Sequence, residues 1–422
     1  MPSDRRRMLG NMTSLFTLQG ANYALPLVTL PYLVRVLGPE KFGLIAFAQA
    51  FMQYFAVATD YGFNLSATRE VAVHRENPQK LAQIISAVMT IKIALAVVGA
   101  GVLALVVFLI PSFYVYWPLY AVVYLSVLGA TLFPTWLFQG LERMRDITWM
   151  NVGARIITTA CIFFFVRNAS DYVTAAAIQS VPAMMAAIPA WIGMRQSHRV
   201  KLNLPKLDTI REQLKSGWHV FLSTAAINVY TSSNTFILGL IVGPVAVGYF
   251  SAANKLVQAV QGLLSPVTQT LYPHISMLAA RSRDEALTFI RKVLKIIAPV
   301  SFLLSGILLA GSAPLIGIVL GAQYGPAISV LEWLAFLPFI IALSNVFGIQ
   351  TMLTFGMNQL FSRILMASAG LNFLLVFPLA WRFGAGGAAM SMLLTETFVT
   401  STMAWVLHRR GINLYLPLRE AI

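Results

Sequence analysis

Long apolar runs, interrupted at intervals by short polar stretches, make up most of this chain. A helix needs about 20 mostly apolar residues to cross a bilayer. On that measure the first half predicts spans over 12–37, 42–67, 83–110, 116–139, 149–167 and 171–194. The second half predicts 215–241, 246–272, 290–311, 327–353, 360–381 and 385–407, twelve spans in all. The longest polar stretch lies between the halves. It holds Pro205 and sets Leu202, Leu204, Leu207 and Ile210 against Lys201, Lys206 and Arg211, the pattern of a segment resting on the inner leaflet. The chain therefore divides into an N-terminal lobe over 1–200, an interfacial linker over 201–214 and a C-terminal lobe over 215–422.

The runs are not uniformly apolar. The first contains Gln19, Asn22, Pro26 and Pro31 and ends at Arg35. A proline inside a helix removes a hydrogen bond and bends it, so Pro26 and Pro31 are hinge candidates. A turn, Gly38-Pro39-x-x-x-Gly43, follows and returns 205 residues later as Gly243-Pro244-x-x-x-Gly248. After each turn comes a polar stripe. Gln49, Gln53, Asp60 and Asn64 in the first half correspond, at the same offset, to Asn254, Gln258, Ser265 and Gln269. These spacings keep each set on one helical face. Such a face must meet protein or a water-filled cavity, because lipid cannot satisfy it. Matching stripes in two halves predict two six-helix lobes related by a pseudo-two-fold axis, with a substrate path between them. Asn228, in the polar seventh run, adds a further cavity candidate.

Composition agrees. The chain is 58% apolar and 11% charged, against roughly 45–50% and 25% in soluble domains. An all-α integral membrane protein follows. The net charge of +15 does not indicate nucleic acid, because most of the Lys and Arg fall in loops on one side of the predicted topology. Positive charge gathers on the cytoplasmic side, so both termini are expected there. Arg5-Arg6-Arg7 ahead of the first run reads as the flank of an uncleaved helix. One cysteine, Cys161, excludes a disulfide framework, and no His/Cys cluster offers a metal site. No Walker loop, hydrolase elbow or paired-carboxylate motif is present. An enzyme is not expected, and no cofactor is called for beyond coupling to H+ or Na+.

Ionisable residues within spans are functional candidates by default. Arg35, Lys92, Arg155 and Lys255 are basic, and Asp60, Glu332 and Glu396 are acidic. The basic set favours an anionic substrate, since guanidinium and ammonium groups hold phosphate. The acids are candidates for the coupling ion. The plainer alternatives are that Arg35 marks the outer interface and that Lys92 and Arg155 extend to the inner one.

The segments Asn11-Met12-Thr13-Ser14-Leu15, Leu18-Gln19-Gly20-Ala21-Asn22-Tyr23, Pro31-Tyr32-Leu33, Arg35-Val36-Leu37-Gly38-Pro39-Glu40-Lys41-Phe42-Gly43 and Asp60-Tyr61-Gly62-Phe63-Asn64-Leu65-Ser66-Ala67-Thr68-Arg69 resemble the opening of bacterial O-antigen flippases. These are polysaccharide exporters of the multidrug/oligosaccharidyl-lipid/polysaccharide (MOP) superfamily. The resemblance implies the MOP-type fold in the bacterial inner membrane. It implies movement of an undecaprenyl-diphosphate-linked oligosaccharide from the cytoplasmic to the periplasmic leaflet by alternating access, through a cationic lumen. Arg35, Lys92, Arg155 and Lys255 are candidates for that lumen by depth alone. A polysaccharide polymerase and a chain-length regulator are the partners it implies. Two rival readings are a cation-coupled multidrug antiporter of the same superfamily and a non-transporting scaffold for polysaccharide assembly.

Overall fold

The computed structural model describes residues 2–198 and 205–414, with side chains except those of 2–24, 195–198, 219, 223, 226, 227, 229–231 and 265–270. Among the described residues the structure is all-helical, without a strand. Eight helical stretches among the described residues are long and apolar enough to cross a membrane. Two of them, Leu25–Val73 with 49 residues and Asn358–Arg409 with 52, are about twice the length of a single crossing. This is a multi-pass membrane protein.

Both long stretches are broken internally, and the first break is the repeated motif. Within Pro2–Asp60 the one non-helical residue is Gly38, at φ 71° and ψ 171°. In the second copy Gly243 takes φ 104° and ψ 179° and caps Pro244–Arg281, with Pro244 in the first turn. A positive φ admits glycine and few other residues. Proline in a first turn gives up only an N–H that has no helical partner. The two Gly-Pro turns are thus the same device used twice. By contrast, the chain stays helical through Pro26 and Pro31.

The chain forms two compact units, Met1–Ser232 and Ser233–Ile422. The boundary falls inside the helix Leu207–Ile241, later than the polar stretch that separates the predicted halves. Residues 201–204 of the expected linker lie outside the described residues. Residues 207–214 begin this helix. Ile210 and Leu214, on its apolar face, pack against the cluster of Phe63, Val71, Leu81 and Trp136 in the first unit. Buried Gln213 donates a 2.5 Å hydrogen bond to Glu70 Oε2.

The second span of the first unit is also interrupted. Its helix ends at Asp60. Tyr61 and Gly62 take φ of 47° and 77°, and a separate helix runs Phe63–Val73. The Tyr61 ring stacks on Phe221 with centroids 5.1 Å apart and planes 9° from parallel. Tertiary packing from the Leu207–Ile241 helix thus holds the break in place, and the break puts Asp60 at a helix end.

The second unit has its own core, around Ile275, Ile290, Phe347 and Met403. Its last long stretch turns at Gly384, with φ 57° and ψ −132°. Asn372 donates to Ser391 Oγ at 3.3 Å and to Thr395 Oγ1 at 3.2 Å, joining the two arms of that turn.

Candidate functional site: a polar cavity in the first unit

The stripe Gln53, Asp60 and Asn64 projects into a cavity of about 480 Å³, within the range of small-molecule sites. Lys92, from the helix Pro78–Leu109, meets it there. Its Nζ lies 3.6 Å from Asp60 Oδ1, and the Lys92 side chain is 3% exposed against 19% for Asp60. The ammonium also donates to the Ala130 carbonyl at 3.4 Å. That carbonyl is available because its helical donor would be the N–H of residue 134, which is proline. The helix accordingly ends at Leu132. Lys92 is therefore a buried cation held by one carboxylate and one released carbonyl.

A second group of polar contacts lies alongside. Gln53 Nε2 donates to Asn228 Oδ1 at 3.2 Å, and Asn228 Nδ2 donates to the Thr224 carbonyl at 2.9 Å. Thr59, Asn151 and Thr135 complete the polar lining. Amide and hydroxyl groups of this kind supply donors and acceptors for sugar hydroxyls. The Asp60–Lys92 pair supplies opposite charges that a ligand or an ion can separate.

Five of the residues singled out from the sequence thus come together: Gln53, Asp60, Asn64, Lys92 and Asn228. Gln49 lies outside the lining and donates to Gln179 Oε1 at 3.3 Å. Arg35 is exposed and Arg155 half-buried, and neither lines this cavity. In the second unit Asn254, Lys255 and Glu396 are half-buried, while Gln258 and Glu332 are exposed. The side chains of Gln19 and Asn22 lie outside the described residues. The lining contains one cation and one anion, so any net positive lumen has to come from residues elsewhere. Sequence reasoning did not single out Asn151, Thr59, Thr135 and Thr224. Asn151 carried a readable signal, an amide within an apolar run. Among the described residues no cluster of three or more His, Cys, Asp or Glu offers a metal site.

Comparison with known proteins gives a consistent answer. The family described as "Polysaccharide biosynthesis protein" matches residues 8–279. A protein of Escherichia coli (strain K12) named "Putative O-antigen transporter" is 39% identical over 411 residues, covering 96% of this chain and 97% of that one. A protein of the same name from Shigella dysenteriae is 30% identical over 401 residues, covering 94% and 99%. Among solved structures, an inward-facing MATE-family multidrug resistance transporter of the MOP superfamily superposes with a TM-score of 0.70 at 14% identity, covering 93% of this chain and 94% of that one. The lipid II flippase MurJ, in an inward closed conformation, gives 0.67 at 12% identity, covering 96% and 86%. The fold is that of MOP-superfamily transporters, and the chain belongs to the polysaccharide biosynthesis protein family.

Proposed function

We propose that this protein is a flippase that carries a lipid-linked oligosaccharide, of the undecaprenyl-diphosphate type, from the cytoplasmic to the periplasmic leaflet of the bacterial inner membrane. The observation that carries the reading is the cavity inside membrane-spanning helices, lined by Gln53, Asn64, Asn151 and Asn228 beside the Asp60–Lys92 pair. Burying such groups within the bilayer is costly, and a polar cargo is a reason to keep them there. The family and the names of its end-to-end relatives support the same substrate class.

In this reading the sugar head enters the cavity and exchanges cavity hydrogen bonds for its own, while the prenyl tail stays in lipid. Lys92 trades part of its contact with Asp60 for a phosphate oxygen. Arg35, Arg155 and Lys255 serve the diphosphate at other points along the path. Leu25–Val73 and Asn358–Arg409 each count as two crossings, divided at Gly38 and Gly384, and with the helices 207–241 and 244–281 this makes twelve. Transport then proceeds by alternating access, with both termini cytoplasmic, and bending at Pro26 and Pro31 accompanies the motion. Asp60, freed when Lys92 turns to the substrate, takes up the coupling proton or sodium ion, with Glu332 and Glu396 as further candidates. Handing the cargo to a polymerase and a chain-length regulator would follow on the periplasmic side.

The test is complementation of a bacterium that lacks its flippase and carries the matching glycan pathway. Surface polysaccharide should return with the wild-type chain. It should fall at least tenfold with Gln53→Ala/Asn228→Ala at equal protein level, because two cavity amides are lost. Surface polysaccharide at the wild-type level in that variant would remove the cavity from the path. A multidrug antiporter is the second reading, favoured by the fold shared with the MATE transporter and by an acid in the cavity. It predicts raised drug tolerance on expression and no restoration of polysaccharide.

A further inference from the structure

A recess at one end of the second unit has a composition that the transport path does not use. Three helix ends meet there. Ser282 caps Arg283–Ala310 by accepting from the Glu285 N–H at 3.3 Å. Met357 precedes Asn358–Arg409, and Arg410 closes that helix at its far end. Arg283, Phe355, Met357, Arg410 and Ile412 line a cavity of about 460 Å³. Met357 and Ile412 form an apolar floor, 8% and 3% exposed. The Arg283 guanidinium lies 5.7 Å from the Phe355 ring centroid. Among the described residues, no carboxylate forms an ion pair with Arg283 or Arg410. The nearest acids in sequence, Asp284 and Glu285, line a different recess with His274 and Lys292.

The two arginines sit on a fixed frame. Arg291 donates from Nε and Nη2 to the Asn413 carbonyl at 3.0 and 2.8 Å, and His408 Nδ1 is 2.7 Å from Asn413 Oδ1. The chain just after Arg410 is thereby tied to the Arg283–Ala310 helix. Immediately before Arg410, Arg409 lies over the exposed Trp405 ring at 4.8 Å. Tryptophan paired with arginine at a helix end marks the level of lipid headgroups. Two guanidinium groups without carboxylate partners among the described residues, above an apolar floor at that level, match a phosphate group attached to a hydrocarbon chain.

We propose that this recess binds the phosphate of an inner-leaflet lipid headgroup, clamped by Arg283 and Arg410, with the start of the acyl chain over Phe355, Met357 and Ile412. The orientation that puts these helix ends in the cytoplasm sets the leaflet. Free inorganic phosphate shares the chemistry but lacks the chain, and the test separates the two.

The purified full chain in neutral detergent is titrated with phosphatidylglycerol, with phosphatidylcholine and with inorganic phosphate. Binding is read as retained ligand by native mass spectrometry and as a shift in thermal midpoint. Phosphatidylglycerol should bind most tightly, and Arg283→Gln/Arg410→Gln should weaken it about tenfold or more, the usual scale for losing charge-assisted hydrogen bonds. Arg283→Lys/Arg410→Lys keeps the charge and should fall between, which separates lost recognition from lost folding. Inorganic phosphate bound as tightly as phosphatidylglycerol, and lost in the Gln variant, would assign the recess to a free anion and overturn the lipid. Equal retention of phosphatidylglycerol by wild type and a normally eluting Gln variant would overturn the site.

Discussion

Asp60→Asn is expected to lower the amount of folded protein more than Lys92→Met does, and the double variant is expected to recover most of it. Removing one partner of a buried ion pair costs about 3–5 kcal/mol, because the other charge is left without compensation. The cost here is unequal. Without the Asp60 carboxylate, the Lys92 ammonium keeps only neutral acceptors, such as the Ala130 carbonyl at 3.4 Å, in a site 3% exposed. Without Lys92, Asp60 still opens to the cavity, where water can reach it. Replacing both charges by uncharged groups of similar volume removes the penalty. Transport should stay lost in all three variants, since each lacks a charge that the substrate or coupling ion needs. Thermal midpoints of detergent-solubilised variants, with surface polysaccharide measured in parallel, check both halves. Equal destabilisation by the single variants without recovery in the double would show that the pair is not the unit that matters. Full transport in the double variant would remove the pair from the mechanism.

Gly387→Ala is expected to abolish accumulation of folded protein. A Cβ at this position would overlap the Leu379 carbonyl group, well inside van der Waals contact and against backbone that cannot rotate away. The two arms of the turn at Gly384 would have to part. They meet through small side chains, with Ala380, Ala388, Ala389 and Ser391 all fully buried, which is how helices approach closely in a membrane. Overpacking costs about 1–3 kcal/mol when side chains can yield, and here the obstacle is main chain, so the cost lies at or above that upper end. Gly386→Ala, where a Cβ would meet nothing within 4 Å, is the control and should accumulate normally. Normal levels of both variants, by quantitative blotting of membranes, would show that the turn is looser than this contact requires.

Much of this was readable in the chain because a membrane narrows the choices. Long apolar runs with polar breaks give the helices in order, and the Gly-Pro repeat marks two turns with the same backbone geometry. The stripe Gln53, Asp60, Asn64 was legible because helical spacing fixes which side chains share a face. Partners across the cavity were harder. Depth along a span says nothing of direction around it, so ionisable residues such as Arg35 and Arg155 could not be sorted from Lys92. What distinguishes Lys92 is a carbonyl released by Pro134, a consequence of a break two helices away. The interruption at Tyr61 was hidden for a similar reason, since its stacking partner, Phe221, lies far along the chain. The start of the helix Leu207–Ile241 reads as an amphipathic surface segment. Yet Ile210 and Leu214 lie on the protein core rather than on lipid. Periodicity identifies an apolar face but not what covers it.

The measurement that decides most directly is exposure of the lipid-linked repeat unit at the outer face of the membrane. Spheroplasts of a flippase-deleted strain with its glycan pathway intact, and no polymerase, are treated with a membrane-impermeant reagent that modifies sugars. With the wild-type chain the repeat unit should become modified. With Asp60→Asn/Lys92→Met, present in the membrane at the same level, it should stay protected. A repeat unit that remains protected although the wild-type chain is present with its native pathway would contradict the flippase reading.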